Sequence, residues 1–220
     1  MIPTFVYNPP NSPLEVLYVD DHIVVVNKPS GLLSVPGRAK EHWDCLSYRL
    51  SQHYPEVRTV HRLDMDTSGV MVFALSKDSN RALSRQFEMK EIEKEYVARV
   101  DGLVQDDEGV IDLALRCDWD NRPLQMVDPV LGKKALTRYQ VLERDPARNE
   151  SRLLLLPLTG RSHQLRVHCL SMGHVIIGDI FYAPKEIVEK EKRLCLHAQA
   201  LSFSHPDTQQ KMTFRCDADF

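Results

Sequence analysis

Apolar and polar positions alternate in short blocks along this chain rather than in long helical repeats. Leu14–Val19 and Ile23–Asn27 are β-branched runs separated by Asp20-Asp21-His22, the pattern of a hairpin. Lys28-Pro29-Ser30-Gly31 then turns the chain, and Pro36-Gly37 turns it again. Leu46, Leu50 and Tyr54 recur at four-residue spacing and predict a helix over about 43–54. Val70–Leu75 is a continuous apolar run, read as a buried strand. Ser76-Lys77-Asp78 offers caps for a helix over 79–89, with Leu83 and Phe87 facing inward. Arg81 and Arg85 lie one turn apart on that helix and share a face.

Residues 94–100 alternate as a strand that carries Glu95-Tyr96-Val97. Further strands are predicted at 109–115, 135–143, 152–157, 193–204 and 211–215. A helix over 161–172 follows Thr159-Gly160 and stops at Gly173, the residue type favoured just past a helix end. Leu165, Cys169 and Met172 form its apolar stripe, with His163, Arg166 and Leu170 on a neighbouring face. Strands outnumber helices and hairpins outnumber crossovers, which is an α+β pattern with a mostly antiparallel sheet. No glycine triplet follows a strand and no G-x-x-x-x-G-K occurs, so nucleotide cofactors are not indicated.

A chain of 220 residues forms one large domain or two packed lobes around a substantial core. Its 43% hydrophobic and 27% charged residues are ordinary for a soluble protein, and no apolar stretch reaches bilayer length. Met1–Pro13 carries Pro and Asn where a signal peptide needs a basic start and an apolar run. The expectation is a cytoplasmic protein whose residues 1–13 are a loosely held arm. Five cysteines without a C-x-x-C indicate neither a zinc site nor a redox motif, and are expected to be small buried hydrophobes. A net charge of -3 argues against nonspecific coating of nucleic acid, but local clustering decides the matter. The clusters are Arg81, Arg85 and Lys90; Arg161, Arg166 and two histidines; and Lys133, Lys134 and Arg138. Taken singly, each reads better as a solvated face than as a binding patch.

The densest chemistry lies in His61-Arg62-Leu63-Asp64-Met65-Asp66-Thr67-Ser68-Gly69. A basic pair and two acids stand at the entrance to a buried strand, where an unpaired carboxylate costs several kcal/mol. A polar hairpin turn would explain the segment in isolation. Two other segments hold partners for an acid: Tyr96 in Lys94-Glu95-Tyr96-Val97-Ala98, and Arg166 in Gly160-Arg161-Ser162-His163-Gln164-Leu165-Arg166. A guanidinium can hold a carboxylate ionised and oriented, and a phenol adds an aromatic surface beside it. The residues alone do not choose between Asp64 and Asp66.

The nonapeptide resembles the H-R-L-D-x-x-T-S-G signature of the RluA family of pseudouridine synthases. The segments around Tyr96 and Gly160–Arg166 resemble two further blocks of that family, in the same order. Asn27-Lys28-Pro29-Ser30-Gly31, Gly173-His174 to Gly178-Asp179, Leu196-His197-Ala198 and Phe203-Ser204-His205-Pro206 match as well. The resemblance covers the chain from about Leu14 to its end. It implies a mixed, mostly antiparallel central sheet flanked by helices, with the active site in a central cleft. It also implies a single catalytic domain over 14–220, without the N-terminal S4 module of longer relatives.

The activity implied is a cofactor-free and metal-free isomerisation of selected uridines to pseudouridine. The implied substrates are structured RNAs, namely a 23S rRNA stem-loop and a tRNA anticodon stem-loop, met by a monomer without membrane association. Carried over by motif position, the catalytic aspartate falls on Asp64, the active-site tyrosine on Tyr96 and the basic partner on Arg166. Asp66 is a turn residue or helper, since the family varies there. Arg62 is a candidate to fill the space left by the extruded base. His61, Arg81, Arg85, Lys94, Arg161 and His163 are candidate RNA contacts, and Leu196 joins Tyr96 in the uracil pocket.

Three rival readings are weighed against this one. A same-family enzyme acting on another rRNA or tRNA uridine differs only in target. A binding module that lost catalysis would lack Asp64, Tyr96 or Arg166, and all three are present. A glycosidase-like hydrolase would pair Asp64 with Asp66, but two-residue spacing in a turn points the carboxylates apart, whereas that chemistry needs them separated by several Å across a substrate.

Overall fold

The computed structural model describes residues 6–220. In chain order its strands are β1 (Glu15–Val19), β2 (Ile23–Lys28), β3 (Arg58–Thr59), β4 (Ser68–Ala74), β5 (Glu93–Asp101) and β6 (Glu108–Asp112). They continue with β7 (Leu115–Cys117), β8 (Gln125–Val127), β9 (Leu136–Asp145), β10 (Glu150–Pro157), β11 (Leu196–Ser204) and β12 (Lys211–Arg215). The helices are α1 (Leu46–Ser51), α2 (Lys77–Met89), α3 (Gln164–Ser171) and α4 (Lys185–Val188), with a single 3-10 turn at Lys40–His42. The chain divides into two compact units, Val6–Lys94 with Ala198–Asp219, and Glu95–His197 with Phe220.

In the first unit β1 pairs with β2, β2 with β4, and β3 with β4, all antiparallel, while β12 pairs with β11. Ile23, Val25, Val70, Val72, Leu83, Leu201 and Phe203 pack into one core. Every residue of β4 is buried, so the continuous apolar run reads correctly as a strand covered on both faces. Helix α2 starts where Ser76 accepts a hydrogen bond from Ser79 N–H, and ends at Lys90 in the left-handed region. Its Gln86 side chain mimics a peptide group, donating to the Ser204 carbonyl and accepting from Ser204 N–H, both at 2.8 Å.

In the second unit β10 lies between β5 and β9, and β6 extends β9, again antiparallel throughout. Leu153 and Leu155 project from β10 into a core that includes Ala98, Val100, Leu165, Cys169 and Leu196. β7 and β8 form a separate two-stranded hairpin. The predicted α+β, mostly antiparallel architecture is the observed one.

Several local expectations are corrected. Residues 1–5 of the predicted arm lie outside the described residues, but Tyr7 is fastened: its hydroxyl donates to the Asp44 carbonyl (2.6 Å) and accepts from Leu33 N–H (3.1 Å). The helix predicted over 43–54 is shorter, because Cys45 is extended and caps it and the chain turns after Ser51. The strand predicted at 109–115 is split into β6 and the start of β7. The helix predicted from Arg161 begins at Gln164, since His163 has φ +52.

Candidate active site

The turn that carries Asp64 is held by its backbone. Thr67 N–H closes it onto the Asp64 carbonyl at 3.2 Å. The loop after β2 then grips it from beside. Lys28, 0% exposed, donates from its ammonium to the carbonyls of Met65 (2.7 Å), Leu32 (2.6 Å) and Pro29 (3.0 Å). Ser30 Oγ donates to the Asp66 carbonyl at 2.7 Å, and Gly31 N–H to the Met65 carbonyl at 3.0 Å. Ser34 Oγ donates to the Leu63 carbonyl (2.7 Å) and accepts from Leu63 N–H (3.2 Å). A buried ammonium is costly unless carbonyls replace its water, and here three do. Asp64 itself is half-buried at the crest of this turn.

Gly69 ends the motif for a steric reason. Its φ of +119 is unfavourable for a residue with a side chain, and a Cβ there would lie 2.2 Å from the Ala198 carbonyl oxygen. The strand β4 can therefore leave the turn only through glycine.

His61 and Arg62 behave differently although they are adjacent. Arg62 is exposed. The His61 Nε2 accepts a hydrogen bond from Val72 N–H at 3.1 Å, and its ring stacks on Phe87 with centroids 4.7 Å apart. Burial, with Lys94 nearby as a second cause, pulls its pKa down to about 3. It is thus a neutral imidazole with the proton on Nδ1. The expectation of a basic pair is corrected: His61 props the strand and offers no cation to a phosphate. Lys94, half-buried in β5, has its pKa pulled down to about 8 by burial.

The second unit presents Tyr96, Arg161, His163, Arg166 and Leu196. Residues Gln164–Cys169 of α3 are buried all round, which removes Arg166 from the partly polar face expected of it. Its side chain is 2% exposed and lies against Asp179, which is 0% exposed. Arg166 Nε donates to Asp179 Oδ2 (2.8 Å) and Nη2 to Oδ1 (2.5 Å), a bidentate fork. Asp179 Oδ1 also accepts from the N–H groups of Phe181 (3.0 Å) and Tyr182 (3.3 Å). The rings of Phe181 and Tyr182 lie 5.1 and 5.2 Å from the guanidinium carbon. His163 stacks on Phe181 and its Nδ1 is 2.8 Å from the Tyr182 hydroxyl.

The start of α3 is pinned by Gln164, whose Oε1 accepts from Thr159 Oγ1 (2.7 Å) and from Arg161 N–H (3.0 Å). Arg161 is exposed, and its Nε donates to the Lys134 carbonyl at 3.1 Å. Tyr96 stands opposite Leu155 in register and packs, half-buried, against the core that contains Leu196. Asp64, Arg62, His61, Arg81, Arg85 and Lys94 thus belong to the first unit and the remaining site residues to the second. Reading the residues alone gave no role to Lys28 or Asp179. The signals were there: a lysine ending an apolar strand, and an acid directly after Val175–Gly178. Among the described residues no group of three or more His, Cys, Asp or Glu side chains could hold a metal ion. No helix among them is long and apolar enough to cross a membrane.

Comparison with known proteins bears on this arrangement. A family model described as RNA pseudouridylate synthase matches residues 22–171. The chain is 55% identical over 215 residues to the "Dual-specificity RNA pseudouridine synthase RluA" of Escherichia coli (strain K12), covering 97% of this chain and 98% of that one. The protein of the same name from Haemophilus influenzae is 49% identical over the same coverage. Among solved structures, "Human RNA Pseudouridylate Synthase Domain Containing 1" superposes with a TM-score of 0.78 at 31% identity, covering 100% of this chain and 87% of that one. A matching family model over most of the chain and relatives this similar along their whole length lead to one conclusion: the chain belongs to the RluA family of RNA pseudouridine synthases.

Proposed function

We propose that this protein isomerises selected uridines to pseudouridine in two RNA classes, a stem-loop of 23S rRNA and the anticodon stem-loop of tRNA. The observation that carries the reading is 55% identity over nearly the full length of both chains to a synthase named as dual-specificity. The intact motif around Asp64 supports it.

In the reaction the bond from C1′ to N1 breaks, the uracil rotates, and C1′ joins C5. The proton on C5 is lost and N1 gains one, so atoms balance without an oxidant or reductant. Asp64 acts on the ribose, as nucleophile at C1′ or base at C2′. Arg166, forked to Asp179, is the basic partner that the family motif assigns to the site, and Tyr96 with Leu196 receives the flipped uracil. Leaving the stack costs the uridine roughly a few kcal/mol, less in a loop. Arg62 fills the vacated position, while Lys94, Arg161 and His163 meet the surrounding RNA. The protein acts as a monomer in the cytoplasm.

The test incubates purified protein with an rRNA stem-loop and with a tRNA anticodon stem-loop, then maps pseudouridine by mass spectrometry. Conversion of a single loop uridine in each supports the reading. Conversion in one class alone reduces it to single specificity, and conversion in neither overturns it.

A further inference from the structure

The first unit carries a basic groove whose lining includes none of the residues 61–69. It has a volume of about 680 Å³ and is lined by Arg58, Lys77, Asn80, Arg81, Ser84 and Arg85, with one acid, Glu88, at its edge. Lys77, Arg81 and Arg85 follow one another at four-residue intervals on α2. Successive positions therefore rise about 6 Å and drift about 40° around the axis, forming a shallow cationic stripe. Arg58 contributes from β3. Four cations against one acid reverse the sign of a chain whose net charge is -3.

The existing acidic partners of these groups are weak. Arg81 meets Asp78 at 3.3 Å with both side chains at least 82% exposed, and Arg58 Nη2 meets Glu56 at 2.9 Å. Solvent-accessible pairs of this kind contribute little and yield readily to a stronger anion. Arg58 Nε is buried and meets no hydrogen-bond acceptor among the described residues.

We infer that this groove takes the ribose-phosphate backbone of the substrate RNA outside the target nucleotide. An open groove with a regular cationic stripe suits a repeating phosphate strand, whose oxygens would accept from the stripe. The inference rests on the RNA substrate class of the proposed function, and it adds where the strand runs.

The test measures binding of a tRNA anticodon stem-loop at several KCl concentrations. The triple variant Lys77→Gln/Arg81→Gln/Arg85→Gln should bind about 10- to 100-fold more weakly at low salt. It should also lower the slope of log affinity against log salt by about 2 to 3, since each phosphate contact contributes roughly 0.7–0.9. Arg58→Lys keeps the charge at that position, so the slope should be retained. A control variant, Lys185→Gln/Lys192→Gln, should leave both unchanged. A triple variant with wild-type affinity and slope overturns the inference, as does a control that loses as much as the triple. Pseudouridine formation by the wild-type protein is followed in the same samples. Its absence would defeat the proposed isomerase while leaving the groove result readable.

Discussion

Asp179 takes the Arg166 guanidinium with both carboxylate oxygens, and neither residue is more than 2% exposed. Truncating one partner of a buried pair leaves the other charge in a low-dielectric interior. Asp179→Ala should therefore cost about 3–5 kcal/mol of folding stability, and Asp179→Asn less, because the amide oxygen still accepts one hydrogen bond. Urea denaturation at pH 7 reads both values. An unchanged midpoint for the alanine variant would mean the fork contributes nothing to the fold.

Asp64 stands on a turn whose backbone is fixed by other residues, so its carboxylate can be altered without disturbing its support. Asp64→Asn should lower pseudouridine formation by about 10²- to 10⁴-fold or more while RNA affinity stays within a few-fold of wild type. Single-turnover conversion and a binding titration separate the two effects. A variant that still turns over at the wild-type rate removes Asp64 from the chemistry.

His61 makes the first unit sensitive to acid. Its pKa lies near 3 when folded and near 6.5 when unfolded, so between those values the unfolded chain binds more protons. Stability from this group is complete above about pH 6.5 and is lost as the pH falls toward 3. His61→Gln retains an acceptor for Val72 N–H and cannot protonate. Unfolding midpoints measured from pH 7 to pH 4 should fall less steeply for the variant. Parallel curves would assign the acid sensitivity to other groups.

Gly69→Ala forces a methyl group against the Ala198 backbone at a φ that L-residues avoid. The expected loss is about 3 kcal/mol or more, combining overpacking and backbone strain. Thermal melts should show it directly. Ala→Gly changes elsewhere offer no rescue, because the clash is with main-chain atoms.

The sequence carried some elements cleanly and hid others for identifiable reasons. The β1–β2 hairpin and α2 were legible because alternation, turn residues and the Ser76 cap agree with one another. α3 was misread at its start because His163 adopts a left-handed backbone conformation, φ +52, that no periodicity announces. β7 and β8 span three residues each, too short for any period to register. In the candidate site, Asp64 stood out as a charge beside a buried strand. Asp179 did not, since its pairing with Arg166 spans 13 positions and is created only by packing. His61 looked like a cation next to Arg62, and only the neighbouring Val72 and Phe87 reveal a neutral prop.

The grip of Lys28, Ser30 and Ser34 on the turn falls on main-chain atoms of Leu63, Met65 and Asp66. Such a grip is indifferent to the identity of what it holds. These contacts hold the backbone beside the neighbouring carboxylate whatever side chains stand at positions 65 and 66. The placement of Asp64 is thus tied to three residues that stand 29 to 37 places upstream of the carbonyls they hold.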